Sequence, residues 1–185
     1  MGFSMPDLAN IYVPKPGGKL ELNLGDAWRG RFTEADELPA GAPIDYGYAV
    51  LFMGDKGYVS RPNANERWGV IEGAFHDGET VEEWTARVAM EQAGATLART
   101  DLVGYLDCKA TSHNPDHPAG TIRVRPIYLV VAKTIDDVPE ETGYARRRLP
   151  FNEHARAIRD RYPELQGYLS KALDRYMVLR AKGEA

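Results

Sequence analysis

The sequence predicts an α/β domain in which a mixed β-sheet is covered by helices. β-rich segments flank a short helix between residues 46 and 132, and a second helical region follows from about residue 152. Segments of these kinds in this order pack most economically as a sheet with helices against it. With 185 residues, the chain is long enough to bury a core of its own.

Residues 1–43 are predicted to form an extended N-terminal arm, which belongs to the same unit as the domain at residues 44–185. Frequent prolines and glycines in this segment favour extended chain or short edge strands over a helix. Residues 19–24 (KLELNL) alternate polar and apolar side chains as a strand does. We expect the arm to wrap its own domain or to form a homodimer with a second copy.

A hairpin is predicted next. Residues 46–53 (YGYAVLFM) and 58–61 (YVSR) are β-rich and flank a turn bounded by Gly54 and Gly57. Residues 68–71 are predicted to form a further short strand.

The first helix is predicted over residues 81–93. Thr80 and Glu83 have the spacing of a capping box, in which each side chain accepts a hydrogen bond from the other residue's backbone N–H. Gly94 supplies a left-handed stop.

Two strands are predicted after this helix, at residues 102–107 and 121–132, and a polar loop joins them. Pro126 lies inside the second strand and cannot donate to a ladder, so we expect an edge position or a bulge there. A loop over residues 136–143 comes next.

Helical composition extends from about residue 152 to residue 182, with Pro163 predicted to open a new helix in its first turn. Apolar residues after it recur at helical spacing and predict a buried face. They are Leu165, Leu169, Ala172, Leu173 and Tyr176.

Charge and cysteine content limit the function classes. The formal net charge of −4 argues against general binding to nucleic acid or to an anionic membrane, so we expect a small molecule as partner. Cys108 is the only cysteine, which makes an internal disulfide impossible. We therefore expect a cytoplasmic protein.

Two groups of side chains have a functional and an ordinary interpretation. Residues 146–148 are three arginines, with Arg156, Arg159 and Arg161 downstream; they bind phosphate or form a solvated face. Aromatic residues stack a base or belong to the core. They are Tyr46, Tyr48, Trp68 and Trp84.

The segment from residue 73 to residue 95 has the spacing of a known metal-site motif, G-x5-E-x7-R-E-U-x-E-E-x-G-U, where U is a bulky apolar residue. Its matching residues are Gly73, Glu79, Arg87, Glu91 and Gly94. Val88 and Gln92 stand where the motif has glutamates. Through this motif, and through the order of strands and helices around it, the chain resembles the Nudix hydrolases.

The resemblance implies an α/β/α sandwich and a site at the motif. In that family, Mg²⁺ or Mn²⁺ assists hydrolysis of a diphosphate linked to a nucleoside or a similar group. Carried over, the metal would be held by the carbonyl of Gly73 and by Glu91 and Gln92, with Glu91 and Arg87 as catalytic residues. Glu79 and Arg87 would brace the loop against the helix by an ion pair.

The two substitutions decide how much of this chemistry is expected. Val88 cannot ligate and Gln92 brings no charge, so the helix offers one carboxylate instead of three, and weak metal binding follows. Carboxylates or histidines in nearby loops are possible replacements. They are Glu72, His76, Asp77, Asp136, Asp137 and Glu140.

Two functions stay open at this point. One is a Nudix-type hydrolase of nucleoside diphosphate derivatives with a degraded metal site and low or altered activity. The alternative is a non-catalytic Nudix-fold module that binds a nucleotide, regulates, or mediates an interaction.

Overall fold

The computed structural model describes residues 12–14 and 22–185. Within these ranges the chain forms eight β-strands and three α-helices. The strands are β1 (Leu22–Asn23), β2 (Trp28–Glu34), β3 (Tyr46–Met53), β4 (Lys56–Arg61), β5 (Ile71–Ala74), β6 (Ala95–Ala110), β7 (Ile122–Ile135) and β8 (Ala145–Pro150). The helices are α1 (Val81–Ala93), α2 (Phe151–Arg161) and α3 (Gln166–Ala181). Among the described residues, no helix has the length and apolarity that crossing a membrane requires.

All eight strands form one mixed sheet. Its order is β1-β2-β6-β7-β3-β4-β8, and β5 pairs with β3 beside this path. β3 and β7 run parallel, whereas the other pairs are antiparallel. The predicted mixed sheet is confirmed.

Helices cover both faces of this sheet, because side chains alternate between the faces along each strand. On one face, Leu51 of β3 packs in a cluster with Trp84 of α1. On the other face, Phe52 of the same strand packs in a cluster with Leu169 and Tyr176 of α3. The molecule is therefore an α/β/α sandwich, as predicted.

Helix α1 begins and ends where the sequence predicts. The backbone N–H of Glu83 donates to the Thr80 hydroxyl at 3.1 Å, and the N–H of Thr80 donates to the Glu83 carboxylate at 3.3 Å. Gly94 closes the helix with a φ of 63°. Backbone carbonyls of Asp136 and Asp137 lie where a Cβ at Gly94 would stand, so a side chain there is excluded by contact as well as by conformation.

The strands β6 and β7 are longer than predicted, at 16 and 14 residues. Residues 96–101 of β6 alternate between exposed and partly buried positions, and their polar side chains make the strand hard to identify in the sequence. The polar loop between the two strands is correspondingly shorter than predicted. β5 begins at Ile71, where the sequence predicts the strand of residues 68–71 to end.

Pro126 does not lie at an edge of the sheet, because β7 pairs with β6 on one side and β3 on the other. The proline is tolerated since the continuous ladder with β3 begins one residue later, at Ile127. The expected irregularity is present, but on the partner strand: the register of β6 against β7 shifts between Leu102 and Gly104. The edge prediction is wrong.

The arginines at residues 146–148, for which the sequence predicts no element, lie in a strand. β8 pairs with β4 along its whole length and forms an edge of the sheet. α3 starts at Gln166, three residues after Pro163, and its apolar face is buried as predicted, although Leu173 is only partly covered.

Part of the predicted N-terminal arm forms strands of the same sheet. β1 pairs with β2, and β2 pairs with β6 from Trp28 to Glu34. The predicted strand at residues 19–24 falls partly outside the described residues, as does most of the segment before it. The homodimer through this arm stays a prediction.

Candidate functional site

The loop between β5 and α1 is braced by Arg87. Its guanidinium donates to both carboxylate oxygens of Glu79, at 2.7 and 2.9 Å, and to the carbonyl of Ala74 at 2.9 Å. The Glu79 side chain is only 8% exposed. Its hydrogen bonds with Arg87 lower its pKa to about 2, so this carboxylate stays charged at any physiological pH. Arg87 and Glu79 thus set the shape of the loop.

Glu91 is the only carboxylate among the three helix positions that carry glutamates in the motif. Its side chain is 45% exposed, and Oε2 accepts from Nη1 of Arg87 at 3.2 Å. An exposed ion pair between residues four apart on a helix contributes only a few tenths of a kcal/mol.

The two substituted positions lie beside Gly73. A Cβ placed on Gly73 would stand 3.8 Å from Val88 Cγ1 and 3.8 Å from Gln92 Nε2. Val88 is buried to 1% exposure, in the cluster that holds Trp84 and Ile71. The motif therefore brings Gly73, Val88 and Gln92 together, as the helical spacing predicts.

Gln92 forms a two-point contact with the backbone of Glu72. Its amide nitrogen donates to the Glu72 carbonyl at 2.7 Å, and its amide oxygen accepts from the Glu72 N–H at 3.2 Å. The side chain is buried, with 4% of its surface exposed. A glutamate could accept from the N–H but could not donate to the carbonyl. The carboxamide thus fastens α1 to strand β5 in a way that a carboxylate could not.

These residues do not fit a Mg²⁺ or Mn²⁺ site of the implied kind. Hard divalent ions need several oxygen ligands, preferably charged. Val88 has no donor atom, the Gln92 amide is engaged with Glu72, and Glu91 contacts Arg87. Across residues 12–14 and 22–185, no three Asp, Glu, His or Cys side chains are grouped closely enough to hold a metal ion.

The loop groups considered as replacement ligands lie in different surroundings. His76 is exposed, and its Nδ1 lies 4.0 Å from Glu79. Asp136 and Asp137 are exposed residues at the C-terminal end of α1, where their carbonyls contact Gly94. The Glu72 carboxylate forms hydrogen bonds elsewhere, with two tyrosines.

The Glu72 carboxylate lies in a polar pocket beside the end of α1. Oε2 accepts from the Tyr162 hydroxyl at 2.6 Å, Oε1 accepts from Tyr46 at 3.1 Å, and the Arg161 guanidinium lies 3.7 Å away. The pocket has a volume of about 260 Å³, and Gln92 and Tyr144 also line it. We refer to it as the Glu72 pocket.

Both tyrosines remain hydrogen-bond donors. Burial, with a further contribution from the negative charge of Glu72, raises the pKa of Tyr46 and of Tyr162 well above the ordinary tyrosine value. Tyr162 also accepts from the N–H of Val70 at 3.1 Å, which fixes its ring against β5. The pocket therefore presents a held carboxylate and a guanidinium next to aromatic rings.

A second pocket, of about 360 Å³, continues past the same residues. It shares Tyr46, Glu72, Arg161 and Tyr162 with the Glu72 pocket. Its far wall is Arg125, whose guanidinium is 14% exposed and lies 5.1 Å from the Trp28 ring and 5.3 Å from the Tyr46 ring. Two cavities therefore lie on either side of a shared set of residues.

Sequence reasoning placed the motif residues but missed Tyr162 and the role of Glu72. The alternation of side chains along a strand could have indicated the position of Glu72. Ile71 packs against α1, so the next residue, Glu72, faces the opposite side of the sheet. Of the four aromatic residues considered for stacking, Tyr48 and Trp84 are buried in the core. Tyr46 lines the pockets described above.

No family model matches the sequence, and no curated protein sequence matches it. Solved structures match its fold. A mutant of the pyrophosphohydrolase BsRppH from Bacillus subtilis aligns with a TM-score of 0.53 and 15% identity, over 68% of this chain and 75% of that one. The Nudix domain of NrtR from Shewanella oneidensis, in complex with ADP ribose, aligns with a TM-score of 0.50 and 17% identity, over 73% and 89%.

A Nudix hydrolase from Nitrosomonas europaea aligns with a TM-score of 0.52 and 18% identity, over 74% of this chain and 89% of that one. Identities of this size establish a common fold and do not transfer an activity. The resemblance carried by residues 73–95 is confirmed at that level: the protein has the fold of the Nudix hydrolases.

Proposed function

We propose that the protein is a Nudix-fold module that binds a nucleotide-like small molecule without a catalytic metal. The observation that carries this proposal is the pair of hydrogen bonds between the Gln92 carboxamide and the Glu72 backbone. They join helix to strand at the position where the motif has a metal-binding glutamate. Val88, which has no polar atom, fills the other position.

The two adjacent pockets around Glu72 are the site of this proposal. A carboxylate that is held by two tyrosines is an acceptor for the N–H groups of a base or the hydroxyls of a sugar. The Arg161 guanidinium is a partner for phosphate, and Tyr46 offers a ring face beside it. The complex of the NrtR Nudix domain with ADP ribose makes that compound the first ligand to test.

The direct experiment is isothermal titration calorimetry with ADP ribose and with AMP, in EDTA and again in Mg²⁺. We expect equal affinity in both buffers, and a ligand-dependent rise in melting temperature in EDTA. Arg161→Gln should weaken binding about tenfold, through loss of a charge-assisted hydrogen bond. Arg159→Gln, an exposed arginine two residues earlier on α2, is the matched control and should bind normally. Binding that requires Mg²⁺ would contradict the proposal.

The hydrolase alternative makes a different prediction. In it, the Gly73 carbonyl, Glu91 and Gln92 hold Mg²⁺ or Mn²⁺ with a carboxylate from another loop, and Glu91 and Arg87 are catalytic. It requires metal-dependent turnover of a nucleoside diphosphate derivative that Glu91→Gln abolishes. The absence of product across a wide substrate panel would remove this alternative and leave the binding module.

Restoring the motif separates a lost ligand set from a remodelled pocket. The double substitution of Val88→Glu with Gln92→Glu supplies the two missing carboxylates, and circular dichroism in the presence of Mg²⁺ checks that the variant is folded, since both positions are buried. Metal-dependent hydrolysis by this variant would mean that only the ligands were missing.

A cytoplasmic location belongs to the same proposal and rests on the single cysteine, Cys108.

A further inference from the structure

An arginine-lined cavity lies at the outer edge of the sheet, beyond the Glu72 pocket. Its volume is about 590 Å³, and strands β4 and β8, helix α2 and the loop after β4 contribute to its lining. Four guanidinium groups belong to this lining, those of Arg61, Arg67, Arg147 and Arg156. We call it the Trp68 cavity, after the ring on its wall.

Trp68 holds two of these guanidinium groups. Arg61 lies 4.2 Å from the ring centroid and Arg147 lies 5.2 Å from it. A guanidinium that stacks on an indole keeps its full charge, since no carboxylate neutralises it. The contacts therefore position two cations in advance on the wall of the cavity.

The hydrogen bonds of these arginines are incompletely used. Nε of Arg61 is buried and has no hydrogen-bond partner among the residues that the structure describes. Arg67 donates to the backbone carbonyl of Asp160 at 2.8 Å, a contact that leaves its charge uncompensated. A buried donor without a partner is destabilising, and an acceptor that reaches it removes this cost.

The cavity is cationic in a protein that is anionic overall. Four arginines and three acidic residues line it, so the lining has a formal excess of one positive charge. Since the whole chain has a formal charge of −4, this excess of positive charge is local.

We propose that the Trp68 cavity binds a ligand that carries two or more phosphate-type anionic groups, beside the Glu72 pocket, with which it shares the lining residues Glu66 and Arg67. Planar guanidinium groups bind such oxygens in pairs, and several of them around one cavity match a diphosphate better than a single anion. The sequence allows Arg147 and Arg156 either to bind phosphate or to form a solvated face, and this proposal assigns them the first role.

The test is calorimetric titration of the full chain with inorganic pyrophosphate at an ionic strength of about 0.15 M, where the Debye length is about 8 Å. Arg147→Gln and Arg156→Gln should each weaken binding about tenfold, the effect of losing one charge-assisted contact. Arg148→Gln is the matched control: it removes the same charge from the next residue of β8, which is absent from the cavity lining. We expect its affinity to stay within about twofold of the wild-type value, because an exposed charge outside the cavity acts only through screened solvent.

Each outcome bears on the proposal. Selective loss in the variants of residues 147 and 156 supports it. Equal weakening by Arg148→Gln would show a general charge effect and overturn it, as would the absence of pyrophosphate binding by the wild-type chain.

Two further titrations test which ligand carries the anionic groups and whether the Glu72 pocket contributes to binding. Titration with ADP, whose diphosphate is attached to a nucleoside, distinguishes a nucleotide end from free pyrophosphate as the source of the anions. Arg161→Gln should leave pyrophosphate binding unchanged, because Arg161 lines the Glu72 pocket and not the Trp68 cavity. A loss there would place the anion in the Glu72 pocket and overturn the assignment.

Discussion

The two halves of the motif segment differ in what they preserve. In the first half, the cap at Thr80 and the contact of Glu79 with Arg87 have the geometry that the motif requires. In the second half, Val88 and Gln92 occupy positions where the motif has glutamates. Val88 makes an apolar contact, and the Gln92 carboxamide forms hydrogen bonds with the backbone of β5. The residues that shape a loop and the residues that bind a metal are thus separable within one helix.

The comparison explains why the helix remains in place. Metal-binding glutamates facing one another repel and need the ion to stabilise them. Here, an apolar side chain and a two-point hydrogen bond replace that arrangement, and the helix packs on β5 without compensation from an ion. The changes below act on the two halves separately.

Val88→Glu should have the largest effect. A carboxylate would enter a site that is 1% exposed and packed against the core of the α1 face. We expect a loss of about 3–5 kcal/mol in the free energy of unfolding, measured by urea denaturation without divalent metal. Met90→Glu, at a position that is 38% exposed on the same helix, should change it by less than about 0.5 kcal/mol. Similar losses in both variants would contradict the burial argument.

Gln92→Glu should destabilise the protein by about 2 kcal/mol at neutral pH. The substitution removes the donor to the Glu72 carbonyl and brings a carboxylate oxygen to an oxygen that it cannot bond. Burial raises the pKa of an introduced carboxyl group, so its destabilisation should shrink as pH falls and the group becomes protonated. A difference from wild type that is constant between pH 7 and pH 4 would contradict the two-point contact.

Arg87→Gln should cost about 1–2 kcal/mol, because it leaves the little-exposed Glu79 carboxylate without its partner. The wild-type pKa of Glu79 lies near 2, below the ordinary value of 4.5, so this contribution is present above pH 4.5 and is lost as pH falls toward 2. The difference between wild type and variant should therefore narrow over that window. Denaturation curves from pH 6 to pH 2 measure it, and a gap that widens at low pH would show that another group controls the loop.

The sequence predicts the local geometry of this fold better than its long-range pairing. The hairpin at Tyr46 and both ends of α1 follow from turn and cap chemistry within a few residues. The start of β6 does not, because its half-exposed face carries polar side chains whose strand character comes from pairing with β7. β8 is hidden for the same reason, since its three arginines form a strand only through β4.

The site is predicted in the same uneven way. Helical spacing alone places Val88 and Gln92 on one face of α1, and the packing of α1 on β5 brings them to Gly73. The Glu72 pocket requires Tyr162, which is far away in sequence and reaches β5 only after α2 has packed on the sheet. The bond between the Gln92 side chain and the Glu72 backbone is likewise invisible to a motif, because a motif records side chains and not the main-chain groups that they meet.

The parallel pairing of β3 with β7 has a consequence for how the chain folds. β3 with β4 and β6 with β7 are hairpins whose strands are close in sequence, whereas β3 and β7 meet across most of the domain. Joining them closes a much longer loop than either hairpin does and therefore costs more chain entropy. Both cores depend on the pairing of β3 with β7, which we call the seam, because Phe52 and Leu129 face one core while Leu51 and Val130 face the other. The two halves of the sheet can therefore form early, but neither core is complete until the seam closes.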